Sequence, residues 1–178
     1  MEFRKATQED FTAIKALYEQ ARAFLKSCGV DQWQNGYPED ELIKRDIECG
    51  QSYLCEQAGA PVAVFVASKK KNPDYENITD GWWRKDEGYI HLTRVAVQEK
   101  YRGQNIGGQI VRFVEKTMCP ADCGYLKSDT HPDNKAMQRM LEKNGFQYAG
   151  IVRLHSGLEK GRRRVAYDKI LKPSGENK

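Results

Sequence analysis

The residues with the most chemical meaning run from Val95 to Gly108. Val95-Ala96-Val97 leads through Gln98-Glu99-Lys100-Tyr101 into Arg102-Gly103-Gln104-Asn105-Ile106-Gly107-Gly108. An apolar strand that passes through a polar turn into a glycine-bearing loop opening a helix builds an anion site. The first-turn N–H groups of a helix have no partner inside it, and the helix dipole concentrates partial positive charge there. Gly103, Gly107 and Gly108 let the backbone approach a ligand closely and turn sharply, and Arg102 adds a cation at the rim. A pyrophosphate is the natural guest. Ile106, Ile110, Val114 and Met118 recur at helical spacing, so an amphipathic helix follows the loop. Taken locally, the same letters also describe an ordinary strand-to-helix turn.

A second chemical candidate lies just upstream. On an extended strand the side chains of His91, Thr93, Val95 and Val97 share one face. Imidazole, with an unperturbed pKa of about 6.5, is a competent proton acceptor near neutrality. A lone histidine on a half-buried strand is also a common structural residue, and the local sequence leaves both readings open.

The segment resembles the acetyl-CoA-binding signature of the GCN5-related N-acetyltransferase superfamily, a strand ending Val-x-Val followed by (Arg/Gln)-x-x-Gly-x-(Gly/Ala). Arg102 takes the first place and Gly107 the last, while Asn105 stands where glycine is usual. Asparagine tolerates the left-handed backbone region better than most residues, so the departure is mild. Asn134 with Ala136, then Glu142-Lys143-Asn144-Gly145-Phe146, is similar to the family's later helix and its Gly-Phe exit, and Phe3-Arg4-Lys5-Ala6-Thr7 with Asp10 resembles its opening strand and helix start. These matches span nearly the whole chain. The resemblance implies an α/β (α+β) acyl-CoA N-acyltransferase fold, a mixed, largely antiparallel sheet flanked by helices. It implies an enzyme that moves the acetyl group of acetyl-CoA to an amine by direct attack in a ternary complex, without a metal.

On the same resemblance Val95, Ala96, Val97, Arg102, Gly103, Gln104, Asn105, Ile106, Gly107, Gly108 and Asn134 bind the cofactor. His91 falls where histone-acetylating members hold a glutamate and serotonin-acetylating members a histidine, which makes it the expected general base. Asn134 also suits helix capping. The tyrosine often found just before the Glu-Lys-x-Gly-Phe exit is Leu141 here, so no general acid is named, with Tyr89 and Tyr148 as substitutes. Trp33, Tyr37 and Trp82, with Trp83 and the His131 corner, are the expected lining of the acceptor site, and they would serve equally as core anchors. The acceptor is a small-molecule or peptide amine. A non-catalytic CoA-binding or regulatory module of the same fold is the alternative, suggested by Leu141.

The elements that must position these residues are legible in outline. Strand Glu2 to Lys5 precedes a capping box at Thr7 and Asp10 and a helix whose apolar face is Phe11, Ile14, Leu17, Ala21 and Phe24. A turn-rich stretch leads to a second helix from Glu39 to Glu48, then a hairpin of Ser52 to Glu56 and Val62 to Ala67 turning at Ala58-Gly59. The long polar stretch from Ser68 to Gly88 resembles an inserted loop. After strand Tyr89 to Val97 and the loop helix come a strand from Gly124 to Ser128, a helix with Pro132 in its first turn running to Asn144, and strands Phe146 to Arg153 and Val165 to Leu171.

Composition bounds the rest. The 178 residues suit one domain, expected over residues 1–172 with a disordered tail at 173–178. Hydrophobic residues at 39%, charged residues at 30% and a mean hydropathy of -0.77 describe a wet surface around one core. No run reaches the length of a membrane span and Met1-Glu2-Phe3-Arg4 lacks a signal-peptide core, so a cytoplasmic location is expected. The five cysteines form no even framework and carry no CxxC pair, and Cys119-x-x-x-Cys123 with His131 lacks a fourth ligand for a metal clip. Net charge is +4, with basic clusters at Lys69-Lys70-Lys71 and Arg162-Arg163-Arg164, but no nucleic-acid-binding motif accompanies them. The last strands offer a route to a homodimer that no residue pattern decides.

Overall fold

Strand order follows from where the apolar runs find partners. The computed structural model describes residues 1–85, 88–118 and 124–171. Eight strands form one sheet: β1 (Glu2–Lys5), β2 (Ser52–Gln57), β3 (Ala60–Ser68), β4 (Ile78–Thr79), β5 (Ile90–Val97), β6 (Tyr125–Thr130), β7 (Gln147–Arg153) and β8 (Arg163–Ile170). They lie in the order β1-β2-β3-β5-β6-β8-β7-β4, antiparallel throughout except for the parallel pair β5·β6. One face is covered by α1 (Phe11–Ser27) and α2 (Asp40–Glu48), where Ile14, Leu17, Tyr18 and Ile43 pack on Leu54, Val64 and Ala96. The other is covered by α3 (Ile106–Met118) and α4 (Lys135–Lys143), where Ile106, Ile110, Val114 and Leu141 pack on Phe65, Leu92 and Leu126. The mixed sheet flanked by helices is the expected fold. No helix among the described residues is long and apolar enough to cross a membrane.

Several local expectations are corrected. The Thr7–Asp10 capping box serves a single 3-10 turn over Gln8–Asp10 that feeds α1, with Thr7 N–H donating to Asp10 Oδ2 at 2.8 Å. The helix expected from Pro132 begins three residues later, because the Asn134 carboxamide accepts from Met137 N–H at 3.1 Å and sets the first turn there. The stretch from Ser68 to Gly88 is more than a loop. It holds β4, which pairs with β7, and a 3-10 turn at Pro73–Tyr75, and it buries Tyr75 and Trp83 with Tyr89 in a third apolar cluster. Cys119, Cys123 and the tail from Pro173 lie outside the described residues.

One irregularity reorganises the functional strand. In the β3·β5 ladder Val66 pairs with Thr93 and Val64 with Ala96, so β5 carries one extra residue, and Arg94 sits at φ 50°. A bulge of this kind exchanges the faces beyond it. Thr93 therefore shares its face with Ala96, toward α1 and α2, while Val95 and Val97 join Leu92 toward α3 and α4. The expectation that His91, Thr93, Val95 and Val97 form a single face is overturned by that bulge.

Candidate active site

The β5·β6 ladder pairs Ile90 with Leu126 and His91 with Lys127, and then the strands part, although both continue. The main-chain groups of Val95 to Val97 that would face β6 are thereby left out of the ladder. At the mouth of the opening the loop after β5 turns at Gly103 (φ 79°) and Asn105 (φ 58°) into the first turn of α3. Asn105 takes up the left-handed conformation that its place in the motif requires. The two following glycines are needed for space. A Cβ on Gly107 would lie 2.6 Å from Met140 Cγ, and one on Gly108 would lie 2.4 Å from Asn105 Oδ1 and 3.0 Å from Asn144 Oδ1. The absence of side chains thus seats α3 against α4 and leaves the orphan N–H groups of its first turn accessible.

A cavity of about 580 Å³ runs from this loop along β5. Val95, Ala96, Val97, Arg102, Gly103, Asn105, Ile106, Gly107, Gly108 and Asn134 line it, which brings together the expected cofactor residues except Gln104. The Gln104 carboxamide folds back and donates to Lys100 C=O at 2.9 Å. Arg102, Arg139 and Lys143 surround the loop with positive charge, and Arg102 lies 3.9 Å from the centre of the Phe24 ring. Phe24, Leu25, Met137 and Met140 supply apolar walls. Asn134 caps α4 with its oxygen and donates Nδ2–H to Gln32 Oε1 at 2.8 Å, so both amide functions are engaged.

A second cavity of about 440 Å³ adjoins the first, and Gln32, Trp33, Arg94 and Asp129 line both. Trp33 and Arg94 hold positive φ values of 67° and 50°, unusual for bulky residues and concentrated at this junction. Arg94 is pinned from within the second cavity. Its Nη1 donates to Tyr37 OH at 2.8 Å, its Nη2 donates to Asp46 Oδ1 at 3.1 Å, and its Nε lies 2.9 Å from Asp46 Oδ2. Burial opposes its charge, yet Tyr37 and Asp46 together raise its pKa above the ordinary guanidinium value.

Asp129, on β6, has a side chain 13% exposed and accepts a hydrogen bond from Tyr75 OH at 2.7 Å. Desolvation raises its pKa above the ordinary carboxylate range, against the opposing pull of the Tyr75 hydrogen bond and Arg164.

The expected acceptor residues divide. Trp33 and Tyr37 line the second cavity, whereas Trp82 is 75% exposed and lines neither. His91 also lines neither. It is 7% exposed, stands edge-on to Tyr75 at 6.3 Å between ring centres, and has no hydrogen-bond partner for Nδ1. Desolvation, reinforced by Arg94, lowers its pKa to about 4. Leu141 is fully buried in the core, Tyr89 OH accepts from Asn72 N–H, and Tyr148 is exposed. Gln32, Arg94, Asp129 and Glu159 escaped the sequence reading. Only a bulge at Arg94 could have pointed to them, and a bulge leaves no mark on the alternation of an all-buried strand.

A splayed parallel strand pair opening onto a glycine-bearing loop, with a polar pocket joined to it, is the architecture of the acetyltransferase fold. Residues 18–146 match the Acetyltransferase (GNAT) family, and the chain belongs to that family. It is similar to an acetyltransferase of the GNAT family from Streptococcus agalactiae 2603, at 29% identity and TM-score 0.85 over 96% of this chain and 95% of the other. It is 21% identical to the uncharacterized N-acetyltransferase YesJ of Bacillus subtilis (strain 168) over 82% of this chain and 81% of the relative. The fold is shared with AAC(6')-Ib, whose structure holds paromomycin and acetyl-CoA, at 17% identity and TM-score 0.66 over 94% and 92% of the two chains.

Proposed function

We propose that the protein is an acetyl-CoA-dependent N-acetyltransferase in which an amine held in the second cavity attacks the thioester of acetyl-CoA held in the first. The observation that carries this reading is the junction itself: a cleft with an anion-binding loop and a polar pocket share a wall that includes a carboxylate, Asp129. Acetyl-CoA supplies the activated acyl group. The first turn of α3 with Arg102, Arg139 and Lys143 would hold its pyrophosphate, and those main-chain groups of Val95 to Val97 that face the gap to β6 would meet the pantetheine amides and polarise the carbonyl. Asn134 would exchange its bond to Gln32 for one to the pantetheine arm. The acetyl-CoA complex of AAC(6')-Ib supports the cofactor assignment through the shared fold.

Amine attack requires loss of an ammonium proton. The sequence pointed to His91, but a deeply buried imidazole with a pKa of about 4, outside both cavities, is a poor acceptor. We assign that proton to Asp129, the carboxylate that lines both cavities and whose pKa burial raises above its ordinary value. Coenzyme A, with a thiol pKa of about 8.5 by analogy with free cysteine, departs as the thiolate without a dedicated acid.

Calorimetric titration with acetyl-CoA and CoA, followed by thiol release over a panel of amines, tests the reading. Micromolar binding lost in Gly107→Trp, together with amine-dependent thiol release, is the expected result. Binding without release for any amine selects the non-catalytic CoA-binding module that Leu141 suggests. Absence of binding by the native protein overturns the assignment. Loss of turnover in His91→Ala but not in Asp129→Asn would return the proton to His91.

A further inference from the structure

The second cavity carries an excess of unmet acceptors. Among the described residues five buried side-chain atoms lack a hydrogen-bond partner, and four of them belong to residues lining this cavity: Glu39 Oε2, Thr93 Oγ1, Arg94 Nε and Glu159 Oε1. Arg94 Nε is ion-paired with Asp46 at 2.9 Å, which leaves two carboxylate oxygens and a hydroxyl. Glu159 is 1% exposed and Thr93 9%, and Arg162 Nε stands 3.6 Å from Glu159 Oε1. A buried acceptor without a donor is destabilising, so three in one cavity make a standing demand for donors.

The charges identify the donor. Asp46 is neutralised by Arg94, and the second oxygen of Glu159 is paired with Arg164. Glu39, Asp74 and Asp129 then face Arg45, which is exposed on α2 and screened by water, and Arg164, which stands 4.0 Å from Asp129 and is already paired with Glu159. Glu39 immediately precedes α2, yet its side chain makes no capping bond there, so its carboxylate is available to a ligand. Among the described residues these carboxylates do not converge as a metal site. The aromatic faces of Trp33 and Tyr37 suit the methylene stem between charged groups, and a cavity of about 440 Å³ fits a small molecule.

From these features we infer that the acceptor is a dicationic or polycationic aliphatic amine, its reacting nitrogen beside Asp129 and a further ammonium held by Glu39, Thr93 and Glu159. This rests on the acetyltransferase reading only for the fate of the reacting nitrogen; recognition of the second ammonium stands without turnover. An ammonium presents three donors and no acceptor, which matches the unmet set. In the transfer Asp129 takes the ammonium proton, the neutral amine forms the new C–N bond as the thioester C–S bond breaks, and the thiolate leaves on CoA and takes up the second nitrogen proton to end as the free thiol.

The test is a ladder of α,ω-diamines from diaminopropane to diaminohexane, each compared with the monoamine and the ω-amino acid of the same length, on the CoA-loaded protein. Binding is read by calorimetry and turnover by thiol release. At the best length the diamine should bind at least about tenfold more tightly than its monoamine, and Glu39→Gln should remove most of that preference by weakening the diamine far more than the monoamine. Thr93→Val should weaken the diamine in the same direction, which guards against misreading a folding defect in either variant. Equal binding of diamine and monoamine overturns the inference, as does preference for the ω-amino acid, which would put a carboxylate on Arg45. Tight diamine binding without thiol release refutes the transferase reading and leaves this inference standing; acetylation that ignores the second ammonium refutes the inference alone.

Discussion

His91 gives the sharpest test of how burial shapes this site. Its imidazole is expected to titrate near 6.5 in the unfolded chain and at about 4 in the native protein. Between those values the unfolded chain binds the extra proton, so stability rises with pH across the window and is lost as pH falls from about 6.5 toward 4. The full difference is worth about 3 kcal/mol, of which about 2 kcal/mol falls between pH 7 and pH 5. Urea unfolding of the native protein and of His91→Gln, followed by far-ultraviolet circular dichroism at a series of pH values, measures this as a difference of differences. Contributions shared by the two proteins, such as that of His131, whose pKa is also lowered by burial, cancel in the subtraction. The native protein should lose about 2 kcal/mol more than the variant between pH 7 and pH 5. Parallel curves would mean that His91 titrates in the native protein as it does in the unfolded chain, near 6.5, and the argument that removes it from proton transfer would fail with them.

Asp129→Asn is expected to lower kcat by about a hundredfold or more while leaving acetyl-CoA affinity intact, as for loss of a positioned base. In the native protein the acid limb of kcat/KM should lie above the ordinary carboxylate range, because only the ionised form accepts the proton and burial raises its pKa. Replacing Asn105 (φ 58°) by alanine should cost about 1–2 kcal/mol in thermal unfolding, whereas glycine should cost almost nothing. Gly108→Ala, which drives a Cβ to 2.4 Å from Asn105 Oδ1, should weaken acetyl-CoA about tenfold by displacing the loop, with about 1–3 kcal/mol of destabilisation visible in the same unfolding experiment.

The anion loop was legible because its chemistry is local. An apolar run, a polar turn, Arg102, Gly103, Asn105 and Gly107 lie within one short segment, and helix geometry converts that order into orphan donors with no help from the rest of the chain. The helices and most strands were legible for the same reason, since the apolar spacing of Phe11 to Phe24 or of Ile106 to Met118 shows through any tertiary context. The third apolar cluster was not. Tyr75, Trp83 and Tyr89 sit in a polar stretch, and only the partner surface of Tyr125, Ala149 and Val152 makes them core.

The acceptor side was decided wholly by tertiary structure. Gln32, Arg94, Asp129 and Glu159 come from four separate parts of the chain, and no spacing rule relates them. A single extra residue at Arg94 exchanged the faces of β5 beyond Thr93 and parted Val95 and Val97 from the face of His91, a consequence of pairing register that one strand's letters do not contain. The sequence by itself determined where phosphate can bind, because backbone donors and a cation are supplied within one loop. The three-dimensional fold decided which carboxylate stands where the two cavities meet, because that depends on how far β5 and β6 part and on which side chains the gap brings together.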